Sequence, residues 1–85
     1  MMIMTSQANA QDIIFPDELL NEIRVLETNK EGGTAVIVDG DGNQKEISLN
    51  DVISIDESLV VEIEKGYITV KKGNTKTRML VELGF

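Results

Sequence analysis

Turn-forming residues cut the second half of this chain into pieces too short to be helices. Gly40-Asp41-Gly42-Asn43, Asn50-Asp51, Asp56-Glu57-Ser58, Lys65-Gly66 and Gly73-Asn74 punctuate it. Gly, Asn and Asp tolerate the backbone conformations that tight reversals demand. The segments between them carry β-branched residues or alternate apolar with polar. Thr34–Asp39 is β-branched. Gln44–Leu49 puts Ile47 and Leu49 on one face, and Val52–Ile55 is a short strand. Leu59–Glu64 puts Leu59, Val61 and Ile63 inward. Tyr67–Lys72 does the same with Ile68 and Val70, and Thr77–Leu83 with Met79, Val81 and Leu83. Five or six short strands at roughly eight-to-twelve-residue spacing mark a small antiparallel barrel or sandwich.

The first third reads differently. Ile13–Pro16 is a short apolar lead, and Pro16-Asp17-Glu18 suits a helix start. Leu19, Leu20, Ile23 and Leu26 then fall on one helical face, and Asn29–Gly33 ends the run. The expectation is one N-terminal helix plugging an open end of the barrel. The competing assignment is a short helix to Asn21, then a strand over 22–28 paired with Thr34–Asp39, with Ile23 and Val25 on one face. The predicted fold is therefore mainly β, a barrel or sandwich preceded by one helix. It is similar in pattern to SH3-like and Sm-like small barrels, with no family motif among its residues. Residues 1–12 are expected to be a flexible tail and 13–85 a single small β-rich domain. Ala8-Asn9-Ala10 has the spacing of a signal-cleavage site, but no basic segment or long apolar run precedes it. No stretch approaches the roughly 18 apolar residues of a membrane span. The expected setting is the cytoplasm, with no membrane partner.

The chain has no cysteine and no histidine. Disulfides, thiolate sites and the commonest general base and metal ligand are thereby excluded. Asp39 to Asn43 resembles the opening of a calcium loop. However, Gln44 and Asn50 stand where such a loop needs its sharp-turn Gly and its bidentate Glu, so a hairpin turn is expected. Glu62 and Glu64, with Asp56-Glu57 nearby, fall on one exposed face, whereas acid–base catalysis needs two carboxylates in different environments. Ser48, Ser54 and Ser58 have no histidine to activate them. The expectation is a protein that is not an enzyme and takes no cofactor, metal or small-molecule ligand.

Charge is the remaining signal. The net value is −7, but residues 1–64 hold fourteen acids against three bases, while residues 65–85 hold five bases against one acid. The simpler expectation is that body and tail pair within the fold. The sharper one is two faces of opposite sign, used for a partner. Lys71, Lys72, Lys76 and Arg78 surround the Gly73-Asn74 turn and form a candidate nucleic-acid contact. Tyr67 is the one aromatic on these strands, which is poor provision for stacking bases. Guarding the strand edge and balancing Glu62 and Glu64 is the more ordinary role. Val25, Val60 and Leu80 lie off the apolar stripes and would mark a protein interface if they formed one patch. The function expected from sequence is a non-catalytic protein-binding or assembly module, acting through an acidic surface and an exposed sheet edge. Its partner would be another protein or a second copy. The alternatives are a nucleic-acid binder using the 71–78 hairpin, and an acidic nucleic-acid mimic that inhibits a basic partner.

Overall fold

The computed structural model describes residues 12–82 of the 85-residue chain. The expected tail, apart from Asp12, and the inward placement of Leu83 lie outside the described residues. Eight strands follow in order: β1 (Ile13–Phe15), β2 (Arg24–Asn29), β3 (Thr34–Val38), β4 (Gln44–Ser48), β5 (Val52–Ser54), β6 (Leu59–Glu64), β7 (Tyr67–Lys72) and β8 (Thr75–Leu80). They form two sheets. The larger has the order β1-β5-β6-β7-β8, and the smaller is the meander β2-β3-β4. Every pairing is antiparallel except β1 with β5, where Ile13 aligns with Val52 and Phe15 with Ser54.

The sheets do not close into a barrel. They are tied at one edge by an isolated parallel bridge between Val25 of β2 and Val81, just past β8. There the Glu82 N–H donates to the Val25 carbonyl at 2.8 Å. The two sheets share one apolar core. Ile23, Val25, Ala35, Ile37 and Ile47 meet Phe15, Ile53, Val60, Ile63, Ile68 and Val70.

The expected N-terminal helix is absent among the described residues. One 3-10 turn, Leu20–Glu22, stands in its place, and β2 follows. Two local features favour this outcome. The Glu22 carboxylate accepts the Leu19 N–H at 2.8 Å, which closes the turn on itself. The Thr28–Asn29 end of β2 faces Thr34–Ala35 across a tight connection in which Gly33 takes φ 71°. A Gly there lets the chain reverse without a Cβ penalty. Apolar residues at 23, 25 and 35–38 then meet across a β-ladder, which buries Ile23 and Val25 together. A helix would have separated them.

A β-bulge changes the face assignments in β6. Val60 pairs with Val70 and Glu62 with Thr69, so Val61 is the extra residue. The bulge resets the two-residue alternation. Val60 and Ile63 turn into the core, while Leu59 and Val61 are only half-buried.

Candidate binding groove and sheet edge

β8 is the last strand of the larger sheet, and none of its residues is buried. Its register with β7 fixes both of its faces. Lys71 aligns with Lys76, Thr69 with Arg78 and Tyr67 with Leu80 on the outer side. Val70 aligns with Thr77 and Ile68 with Met79 on the core side. The main chain alternates as well. The Val81 N–H donates inward to the Gly66 carbonyl at 2.9 Å, and the next N–H, of Glu82, donates outward to Val25. By that alternation, the N–H and C=O groups of Lys76 and Arg78 point away from β7. Among the described residues no strand lies against them.

Beneath this edge runs an open groove of about 1020 Å³. One wall is β8 with Val81 and Glu82; the other is the segment from Leu19 to Val25. The Ile55 N–H holds that second wall by donating to the Glu18 carbonyl at 2.9 Å. Leu20, Met79 and Val81 pack on the core and present their remaining surface to the groove. Leu19 and Leu80 stand at it with 49% and 63% of their surfaces exposed, the two most exposed large apolar residues besides Ile55 among the described residues. Val25 and Val81, which bridge the two sheets, both line the groove.

Asp56 and Lys72 also line the groove. The Lys72 ammonium lies 3.3 Å from the Asp56 carboxylate. Ser54 Oγ donates to Asp56 Oδ1, and Ser58 Oγ donates to the same atom at 3.3 Å. Both serines are fully buried. Burial opposes the Asp56 charge, but the hydrogen bonds from Ser54, Lys72 and Ser58, with the Lys72 charge, hold its carboxyl below the ordinary carboxylate range. This is a network that orders the β5–β6 turn, where Glu57 takes φ 63°. Its serines are closed to solvent.

The four basic candidates are not one patch. Lys72 is engaged by Asp56. The Arg78 guanidinium lies over the Tyr67 ring, 4.3 Å from its centroid, on the outer face. Lys71 and Lys76 sit opposite each other on that face and are exposed. Of the five bases in residues 65–85, Lys72 is the one in an ion pair among the described residues. The expected pairing of acidic body with basic tail is thus largely unmade. Glu62 and Glu64 are not balanced by these cations either. Glu62 accepts from Thr69 Oγ1 at 2.9 Å, and Glu64 pairs with Lys30 at 2.8 Å.

The proposed apolar patch is corrected. Val25 and Val60 are 1% and 0% exposed and belong to the core, whereas Leu80 is exposed. β2 carries Val25 inward and the β6 bulge carries Val60 inward, so no patch joins the three. Leu80 instead shares the groove with Leu19.

The Asp39 loop is a turn built around a carboxylate. Asp39 Oδ1 accepts the N–H groups of Asp41 (2.9 Å) and Asn43 (2.8 Å), and Oδ2 accepts Asn43 Nδ2 at 3.0 Å. The Asn43 side chain contributes most to holding the Asp39 carboxyl below its ordinary range, with backbone donors assisting against desolvation. Glu18, Asp39 and Asp41 offer carboxylate oxygens within 4.8 Å of one another, with Asp39 already engaged as described.

The favoured helix over the Leu19–Val25 wall is not formed; the competing assignment, a strand over 22–28 paired with Thr34–Asp39 and read from the Ile23/Val25 alternation, is close to what β2 and β3 make. Comparison with protein-family models, with curated proteins and with solved structures gives no match to this chain.

Proposed function

We propose that this chain is a non-catalytic protein-binding module that receives its partner at the β8 edge and the groove beneath it. The observation that supports this most is the pairing of unsatisfied main-chain groups with adjacent apolar surface. Lys76 and Arg78 offer N–H and C=O groups at the edge, and Leu20, Met79 and Val81 offer apolar area a few residues away. An added strand satisfies the first and covers the second, which is how sheet edges recognise extended peptides. Val25 and Val60, being core, leave this recognition to Leu19, Leu80 and Met79. The acidic surface offers a second contact region of opposite sign, and the cytoplasm is the setting this reading assumes.

The test is capture of partners by the full chain after nuclease treatment, beside the groove variants Met79→Lys and Thr77→Lys. A protein retained by the parent and lost with both folded variants supports the reading. Retention unchanged by either variant places recognition elsewhere and overturns it. Recovery of nucleic acid alone would favour the 71–78 hairpin as a phosphate contact.

A further inference from the structure

We infer that the partner segment is an extended acidic strand with carboxylates at every second residue and apolar residues between them, added alongside β8. The inference rests on the proposed use of the β8 edge and specifies what that edge selects. The outer face along β8 carries Lys76 and Arg78, with Lys71 directly across from Lys76, and no acid on β8 itself. Of the carboxylates on that face, Glu64 pairs with Lys30 and Glu62 accepts from Thr69, while Glu82 follows two residues past the end of β8. A strand laid against β8 directs alternate side chains to this face and the others over the groove. Those on the outer face meet Lys76 and Arg78, which are in no ion pair among the described residues, so carboxylates belong there. Those on the inner face meet Thr77, Met79, Val81 and Leu20, so apolar residues belong there.

The same charges argue against two other occupants. In a second copy pairing β8 with β8 antiparallel about Thr77, Lys76 would face Arg78 of the other chain twice, and like charges directly opposite are destabilising. Single-stranded nucleic acid wants exposed aromatic faces. Tyr67 is the aromatic at hand, and Arg78 already covers one face of its ring.

The experiment titrates the full chain with dye-labelled heptapeptides, read by fluorescence anisotropy and by backbone amide NMR shifts. The probes alternate Val with Glu, Val with Thr, or Val with Lys; a further one holds the Val/Glu composition in two blocks, and an oligothymidine is included. The Val/Glu alternating peptide should bind at least about tenfold tighter than the Val/Lys one, as two cross-strand charge pairs imply. It should shift the amides of residues 76–81 and weaken as salt rises. The folded double variant K76E/R78E, checked by circular dichroism, should reverse the preference toward Val/Lys. Equal binding by the block peptide overturns the strand geometry. Tighter binding by Val/Thr at the same amides overturns the acidic specificity while leaving the groove as a protein site. No peptide shift at residues 76–81 overturns both, and preferential oligothymidine binding replaces the acidic strand with nucleic acid.

Discussion

β6 and β8 flank the same strand, β7, and meet it in the same antiparallel way, yet one is interior and the other is rim. β6 buries Val60 and Ile63 and half-buries its remaining residues. β8 buries none and half-buries Met79 alone. Both carry an alternating apolar signal, so alternation does not distinguish them. What differs is the second neighbour. β6 has β5 on its far side. β8 has only the bridge at Val81, beyond which the smaller sheet leaves it uncovered. Apolar periodicity tells which face of a strand turns inward; the strand's rank in the sheet decides whether anything is there to cover it.

The strongest test of this difference is a pair of truncations on facing residues. Ile68→Ala should cost about 2–4 kcal/mol, because Ile68 is fully buried between the sheets. Met79→Ala, its aligned neighbour on β8, should cost about 1 kcal/mol or less, since part of its surface is already in water. Urea midpoints give both values, and equal losses would break the distinction. Next comes the turn that orders one end of the groove. Asp56→Ala should cost about 1–3 kcal/mol by leaving the buried Ser54 and Ser58 hydroxyls without their acceptor. Lys72→Met removes only an exposed ion pair and should cost under about 1 kcal/mol.

A third test is pH. Asp39 and Asp56 both have folded-state pKa values lowered from the ordinary one. Their contribution is fully present above the unfolded carboxylate value near ~4 and is lost as pH falls through the folded values. Denaturation midpoints followed from neutral to strongly acidic pH should decline over that window, and D39N and D56N should each flatten the decline. Gly73→Ala puts a Cβ at φ 60° in the β7–β8 turn and should cost about 1 kcal/mol, read by thermal melting. The smallest effect is expected at Leu80. Leu80→Ser should shift stability by no more than about 0.5 kcal/mol, given its exposure. A larger loss would mean that the rim strand is covered after all.

Much of the β architecture was legible because turns and short apolar repeats are local signals. β6 and β7 coincide with the expected segments, and β3, β4 and β5 end within a residue or so of them. Leu49, expected inward, lies past the end of β4 and is 48% exposed. The helix expectation failed because Leu19, Leu20, Ile23 and Leu26 satisfy a 3.6-residue period, while Ile23 and Val25 equally satisfy a period of two. Pairing with β3, the partner named in the competing strand assignment, decided between the two periods. The pairing of β1 with β5 was invisible because the local pattern of neither strand contains its partner. At the site, the basic residues were legible, but their division was not. Which face each lysine takes depends on register, and the burial of Val60 depends on one inserted residue in β6.

The insertion of the smaller sheet between β1 and β5 also bears on the expected order of assembly. Ile13 and Val52, aligned in the native ladder, are separated by almost half the chain. Closing that interval in an unfolded chain costs more configurational entropy than forming any of the neighbouring hairpins. Once the β2-β3-β4 meander has formed, the same interval is spanned by a compact body and its ends are brought nearer. On entropic grounds the meander scaffolds the first strand, and the β1–β5 ladder is expected to form after the hairpins. Ile13→Ala should accordingly speed unfolding and leave the refolding rate unchanged in stopped-flow kinetics.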